Sequence, residues 1–195
     1  MSKTDEMRKI RDEVVALGGE LAEYRRSEGN HAVLGEGSHD ARIMFIGEAP
    51  GRNEAKTGRP FCGAAGRILD ELLASIDTPR TDVYITNIVK DRPPNNRDPL
   101  PTEIELYAPF LDRQIGTIQP RVFATLGRFS MQYIMKKFDL SFEIESISAA
   151  HGKCYDSRAQ YGNVKIVPLY HPAAAIYNQS LKDTLREDFK VLKEL

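Results

Sequence analysis

Ile43-Met44-Phe45-Ile46 runs into Gly47-Glu48-Ala49-Pro50-Gly51, followed by Gly58-Arg59-Pro60-Phe61-Cys62-Gly63 and then Ala65-Gly66. The apolar run reads as a strand ending on glycine. Beyond the glycines, Ile68, Leu69, Leu72, Leu73 and Ile76 share one helical face. The order is therefore strand, long glycine- and proline-punctuated loop, helix. That puts the loop at the carboxyl end of a strand, where open α/β sheets carry their ligands. Its glycines let backbone come close to a ligand. Glu48 supplies an acid in the turn, and Phe61 an aromatic on the far side.

Working outward, the same alternation recurs. Residues 83–89 (Val-Tyr-Ile-Thr-Asn-Ile-Val) are rich in β-branched and aromatic side chains and predict a second strand. It feeds a basic, proline-rich loop over 90–99, after which Pro101-Thr102-Glu103 starts a helix carrying Ile104, Tyr107, Leu111 and Ile115. A third strand over 121–127 precedes a helix to about Phe138, and 140–162 reads as irregular or short strands. A fourth strand over 164–170 ends on His171-Pro172, and a closing helix spans 180–195. Upstream, Met7, Ile10, Val14, Leu17, Leu21 and Tyr24 share a helical face over 4–28, with Gly18-Gly19 as a possible break. The fold class predicted is α/β: a three-layer α/β/α sandwich around a central, mainly parallel four-stranded sheet. One domain over 1–195 is expected, with 1–28 docked on the core as an N-terminal helix.

Bulk properties narrow the function. A chain of 195 residues with 41% hydrophobic and 28% charged residues suits a globular domain with one well-buried core. A formal charge of −1 gives no global field for nucleic acid, so any such binding must be local. The chain has no apolar run long enough to cross a bilayer, and its start does not read as a signal peptide. Two cysteines, Cys62 and Cys154, make no disulfide framework, and a reducing cytoplasm fits them best.

In a parallel sheet the strand carboxyl ends lie at one edge, so Glu48, Asn87 and His171 can converge. The Asn87 amide presents an acceptor beside two donors, which matches the edge of a pyrimidine carrying an N–H next to a carbonyl. Phe61 can stack on the face of that base. His171 can donate to a ring carbonyl as negative charge builds there. Glu48 can hold a water or face a developing cation, and Lys90, Arg92 and Arg97 can meet phosphates. These are the parts needed to remove a base from DNA. Taken singly, each residue also reads as structure: Asn87 as a turn residue, Phe61 as core, His171 as a structural imidazole, and the charges as solvated loop.

With these residues in place, the chain resembles the uracil-DNA glycosylases, in particular the branch called family 4. Gly47-Glu48-Ala49-Pro50-Gly51 with Gly58-Arg59-Pro60-Phe61-Cys62-Gly63 and Ala65-Gly66 is similar to that family's first motif. Tyr84-Ile85-Thr86-Asn87-Ile88-Val89-Lys90, with Arg92-Pro93-Pro94 and Asn96-Arg97, resembles its second block, and His171-Pro172-Ala173-Ala174 its last. The resemblance covers nearly all of 20–192, in order. It implies that Glu48 and the Ala49 backbone line the uracil pocket and place the attacking water. It further implies that Phe61 stacks on the flipped base, Asn87 reads its edge and His171 stabilises the departing anion. Residues 173–178 would enter the DNA. Arg59, Lys90, Arg92, Ala173, Ile176 and Tyr177 are the residues expected on DNA. The implied substrate is uracil-containing DNA, single- or double-stranded, and free uracil is the product. A monomer with no membrane partner, no redox cofactor and no divalent metal is expected. The alternatives are a same-fold enzyme for another deaminated base, such as hypoxanthine, and a non-catalytic DNA-binding repair module.

The chain also departs from that pattern. Typical family 4 members hold a four-iron cluster on four cysteines; the corresponding positions here are Glu20, Glu23, Asp91 and Tyr107. No cluster is expected. Apolar packing of the N-terminal helix with Tyr107, aided by Glu20 or Glu23 paired to arginines, is expected to hold the segment instead. An oxygen-ligand metal at Glu20, Glu23 and Asp91 is the alternative. Ala49 stands where some relatives carry an aspartate water base, which implies a dissociative mechanism with most of the help going to the leaving group. His151-Gly152 replaces Arg-Gly, and Tyr177 replaces an arginine after the intercalating loop. Weaker or more salt-sensitive DNA binding follows, with Ile176 or Tyr177 as the wedge. With no insertion and no histidine between Asp91 and Pro101, covalent trapping of DNA is not expected.

Overall fold

The computed structural model describes residues 2–195. The chain opens with α1 (Lys3–Ala16), whose N-terminus is closed by a reciprocal cap between Ser2 and Asp5, and α2 (Glu20–Ser27). The expected N-terminal helix is thus two, broken where Gly19 takes φ +101°. β1 (Glu36–Gly37) and β2 (Ile43–Gly47) follow, then α3 (Arg52–Thr57) and α4 (Ala64–Ser75). Next come β3 (Tyr84–Asn87), α5 (Pro101–Ile118), β4 (Val122–Leu126), α6 (Arg128–Lys137) and the short α7 (Ile147–Ala150). β5 (Tyr155–Ala159), β6 (Gly162–Leu169), a 3-10 turn at Pro172–Ala175 and α8 (Gln179–Lys193) complete the chain.

Among the described residues the sheet runs β1-β3-β2-β4-β6-β5. The four central strands are parallel, as the apolar runs imply; two antiparallel edge strands, β1 and β5, extend the expected four to six. The edges are short or alternate half-buried with exposed residues, so they lack the apolar run that marks a central strand. The second strand ends at Asn87 rather than Val89. Ile88 and Val89 nevertheless keep backbone hydrogen bonds to the carbonyls of Gly47 and Glu48.

Side-chain alternation along the strands builds the two apolar layers. Met44 and Ile46 face α1, α5 and α6, meeting Ile10, Ile115 and Ile134. Phe45, between them, faces the opposite layer of α4 and α8, where it stacks on Phe189 at 5.7 Å. Val14, Leu21, Val89 and Tyr107 form a third cluster, which seats the N-terminal helices on α5. The strand register then sets the site. Gly47 lies opposite Asn87, and Leu126 opposite Leu169, so Glu48, Asn87, Gly127 and His171 emerge at one rim.

Candidate active site

A cavity of about 320 Å³ opens at this rim, and Glu48, Ala49, Phe61, Asn87, His171 and Ala173 all line it. The three distant segments picked out by sequence therefore meet at one place. Glu54, Pro93, Asn96 and Arg97 also line the wall.

Gly47 explains how the strand end can receive them. A Cβ there would lie 2.3 Å from the Asn87 side-chain oxygen and 2.7 Å from Phe61 Cζ. Only a glycine lets the amide and the phenyl ring close over the strand. Phe61 sits at φ +46°, an uncommon conformation for an aromatic residue, with only 6% of its surface exposed. Its ring lies 5.6 Å from the His171 imidazole at 30°.

Asn87 is buried, and its Oδ1 has no hydrogen-bond partner among the described residues. A buried carbonyl left unpaired costs about 1–3 kcal/mol. At a cavity wall, a ligand N–H can supply the missing bond. His171 has its tautomer fixed by a backbone bond: Ala173 N donates to Nδ1 at 3.1 Å, so the neutral ring carries its proton on Nε2. Burial pushes its pKa down to about 4, against the opposing pull of Glu54, so the ring is a neutral donor at physiological pH. Glu48 moves the other way. Burial and then the Asp98 carboxylate push it up to about 7, and Arg128 opposes. Arg128 is itself paired to Asp98 at 2.5 Å.

The expected DNA contacts divide. Ala173 is exposed at the cavity mouth and Tyr177 stands almost wholly in solvent at 99% exposure, whereas Ile176 packs partly into the α4/α8 layer. Arg92 is half-exposed, and its Nε donates to Asn96 Oδ1 at 2.6 Å. Arg59 is exposed but lies outside the cavity wall and pairs with Glu36. Lys90 is a correction. It is fully buried and cannot touch DNA. Its Nζ donates to Asn87 O at 2.6 Å, Gln114 Oε1 at 2.6 Å and Thr86 Oγ1 at 2.8 Å. Burial drives its pKa well below the usual lysine value. Lys90 braces the strand end that carries Asn87. Arg97, also suggested for phosphate, is gripped at both terminal nitrogens by Glu103.

The four positions that the resemblance assigns to cluster ligands, Glu20, Glu23, Asp91 and Tyr107, carry no thiol and so do not fit an iron–sulfur cluster. The Asp91 carboxylate accepts from Arg25 Nη1 at 3.0 Å to each oxygen and from Tyr107 Oη at 2.6 Å. Arg25 also donates to the carbonyls of Val14 and Val15. Glu20 and Glu23 are exposed and form no ion pair among the described residues, so the expected pairing through them gives way to the buried Arg25–Asp91 bridge. No group of three His, Cys, Asp or Glu side chains among the described residues is placed to hold a metal ion. The expected apolar packing with Tyr107 is present. Sequence reasoning missed Arg25, Glu54, Gln114 and the Asp98–Arg128 pair. Of these only Glu54 carried a signal, as an acid between two glycine turns.

This rim pairs a base-sized slot with a neutral imidazole donor and an acid of near-neutral pKa, the equipment of an enzyme that works on a nucleobase. The sequence pattern described as the uracil DNA glycosylase superfamily matches residues 34–193, and the chain belongs to that family. It is 47% identical to the type-4 uracil-DNA glycosylase of Sulfurisphaera tokodaii over 98% of this chain and 85% of the relative. The type-4 enzyme of Archaeoglobus fulgidus is 49% identical over 84% of this chain and 81% of its own. That of Thermotoga maritima is 41% identical over 84% and 82%.

Proposed function

We propose that this chain hydrolyses the N-glycosidic bond of deoxyuridine in DNA, releasing uracil and leaving an abasic site. The observation that carries this reading is the Asn87 Oδ1 with no partner among the described residues, on a cavity wall that Asn87 shares with the Phe61 ring and a neutral His171 donor. Uracil has an N–H for that oxygen, a carbonyl for the Asn87 amide hydrogens, a flat face for Phe61, and a second carbonyl for His171 Nε2–H.

The chemistry follows from charge. As the C1′–N1 bond breaks, its electron pair goes to the base, which leaves as an anion spread over the ring carbonyls. The Nε2–H bond strengthens with that charge, so it favours the transition state over the ground state. The sugar becomes cationic, and a water adds at C1′. Glu48, in its carboxylate form, orients that water and takes its proton. Because Ala49 offers no carboxylate, help to the leaving group carries most of the rate. Base extrusion is easier for a mispaired uracil, which adds selectivity. Tyr177 is the better wedge, since Ile176 is partly committed to the core.

The same reading takes a monomer as the working form. No helix among the described residues is long and apolar enough to cross a membrane. Cys62 and Cys154 are unpaired, in keeping with a reducing cytoplasm. Alkali cleavage of oligonucleotides carrying uracil, hypoxanthine or no lesion tests the proposal. Cleavage confined to uracil is expected, falling about 10²–10³-fold in His171→Ala, which loses the donor to the anion. Binding without cleavage, or cleavage at hypoxanthine alone, would overturn it.

A further inference from the structure

We propose that Glu54 is a positioning residue of the base pocket: its carboxylate clamps the backbone just after Phe61 and thereby fixes the stacking face. The inference rests on the reading of Phe61 as the base-stacking ring.

Phe61 occupies a backbone region that side chains rarely adopt, and such a conformation persists only where the surroundings over-determine it. Three grips do so. Glu54 Oε1 accepts from Cys62 N and from Gly63 N, both at 2.9 Å. Arg80 Nη2 donates to Pro60 O at 2.6 Å, and Arg80 is itself held by Glu36 and Asp70. Gly66 lets the next helix close on the loop, since a Cβ there would lie 1.8 Å from Phe61 O. Of the three, only Glu54 also lines the cavity.

Local sequence gives the carboxylate its place. Gly63 is the N-cap of α4 and brings no side chain to its first-turn N–H groups. Glu54, from another helix, takes instead the N–H groups of Cys62 and of Gly63 itself, just ahead of that first turn, where the positive end of the α4 dipole favours an anion. α3 is held in position by Gly58 at φ +74°, which ends it. Glu54 thus couples the turn carrying Glu48 to the turn carrying Phe61, and its charge reaches His171 from the same wall.

Two measurements on Glu54→Ala and Glu54→Gln decide this. The first is amide hydrogen exchange at Cys62 and Gly63, which needs no substrate. Exchange should quicken by about tenfold or more in Glu54→Ala and stay near wild type in Glu54→Gln, which keeps the Oε1 acceptor. The second is inhibition by free uracil together with single-turnover excision. Glu54→Ala should weaken uracil inhibition and slow excision, each by about tenfold. Affinity for lesion-free DNA should not change, and Glu54→Gln should recover most of the loss. Combining Glu54→Ala with Phe61→Ala should add little to Phe61→Ala alone, because both act through one ring. Unchanged exchange, or losses that simply multiply, would overturn the proposal. A wild type that ignores uracil while Glu54→Ala still frees the two amides would sink the uracil reading and leave the clamp standing.

Discussion

Asn87 and Asp91 lie four residues apart, both buried, and their polar heads are treated in opposite ways. Asn87 keeps a buried oxygen with no partner among the described residues, on a side chain that lines the cavity. Asp91 accepts three hydrogen bonds on its carboxylate, two from Arg25 Nη1 and one from Tyr107 Oη, and faces the N-terminal helices. The first arrangement sacrifices some stability for a bond that a ligand can complete. The second is closed and can only hold the fold. Lys90 stands between them and braces the Asn87 main chain. A single stretch of backbone thus carries a recognition group and a structural bridge.

The sharpest way to break the contrast is to exchange the readouts. Asp91→Ala leaves the Arg25 guanidinium buried without its partner, so unfolding stability should drop by about 3–5 kcal/mol in a denaturant titration. The protein that remains folded should excise at near wild-type rate. Asn87→Ala removes an unpaired acceptor, so stability should change by less than about 1 kcal/mol, while excision falls about 10²–10³-fold. If Asn87→Ala is the less stable variant, the assignment of the two residues is reversed.

A titration of Glu48 sharpens the contrast next. Its pKa is raised to about 7, so the fold favours the protonated form. The stability it contributes is complete below the ordinary glutamate value and is lost as pH rises through 7. Activity runs the other way. The carboxylate that takes the water proton accumulates as pH rises, and the rate should fall about tenfold per unit below 7. His171 stays neutral down to about 4 and adds no second limb above that. Glu48→Gln should flatten both profiles. A wild-type rate independent of pH between 5 and 8 would remove Glu48 from the chemistry.

Which of these features was legible beforehand follows from the range of the interactions. The four central strands announce themselves because residues covered on both faces must all be apolar. Glu48, Asn87 and His171 were legible because parallel topology sends strand ends to one rim. α3 was missed because only Ala55 of its six residues is buried, which leaves no periodicity to detect. Lys90 misled because a lysine beside prolines and arginines reads as surface charge, and one of its acceptors, Gln114, lies on another helix. The Arg25–Asp91 bridge spans 66 positions, and pairings of that range have no local signature.

The smallest effect separates neighbouring basic residues. Lys90 is buried, and Arg97 is neutralised by the Glu103 carboxylate. Among the described residues the Arg92 side chain hydrogen-bonds only the neutral Asn96 amide, so its charge is free to displace a counterion from DNA. Arg92→Ala should lower the slope of log affinity against log salt by about 0.7–0.9, while Arg97→Ala should change it much less. The comparison is cleanest on lesion-free DNA, where the base pocket contributes nothing. Equal slope changes in the two variants would mean that Glu103 releases Arg97 on binding. The phosphate path would then include the cavity wall at Asn96 and Arg97 rather than stopping at Arg92.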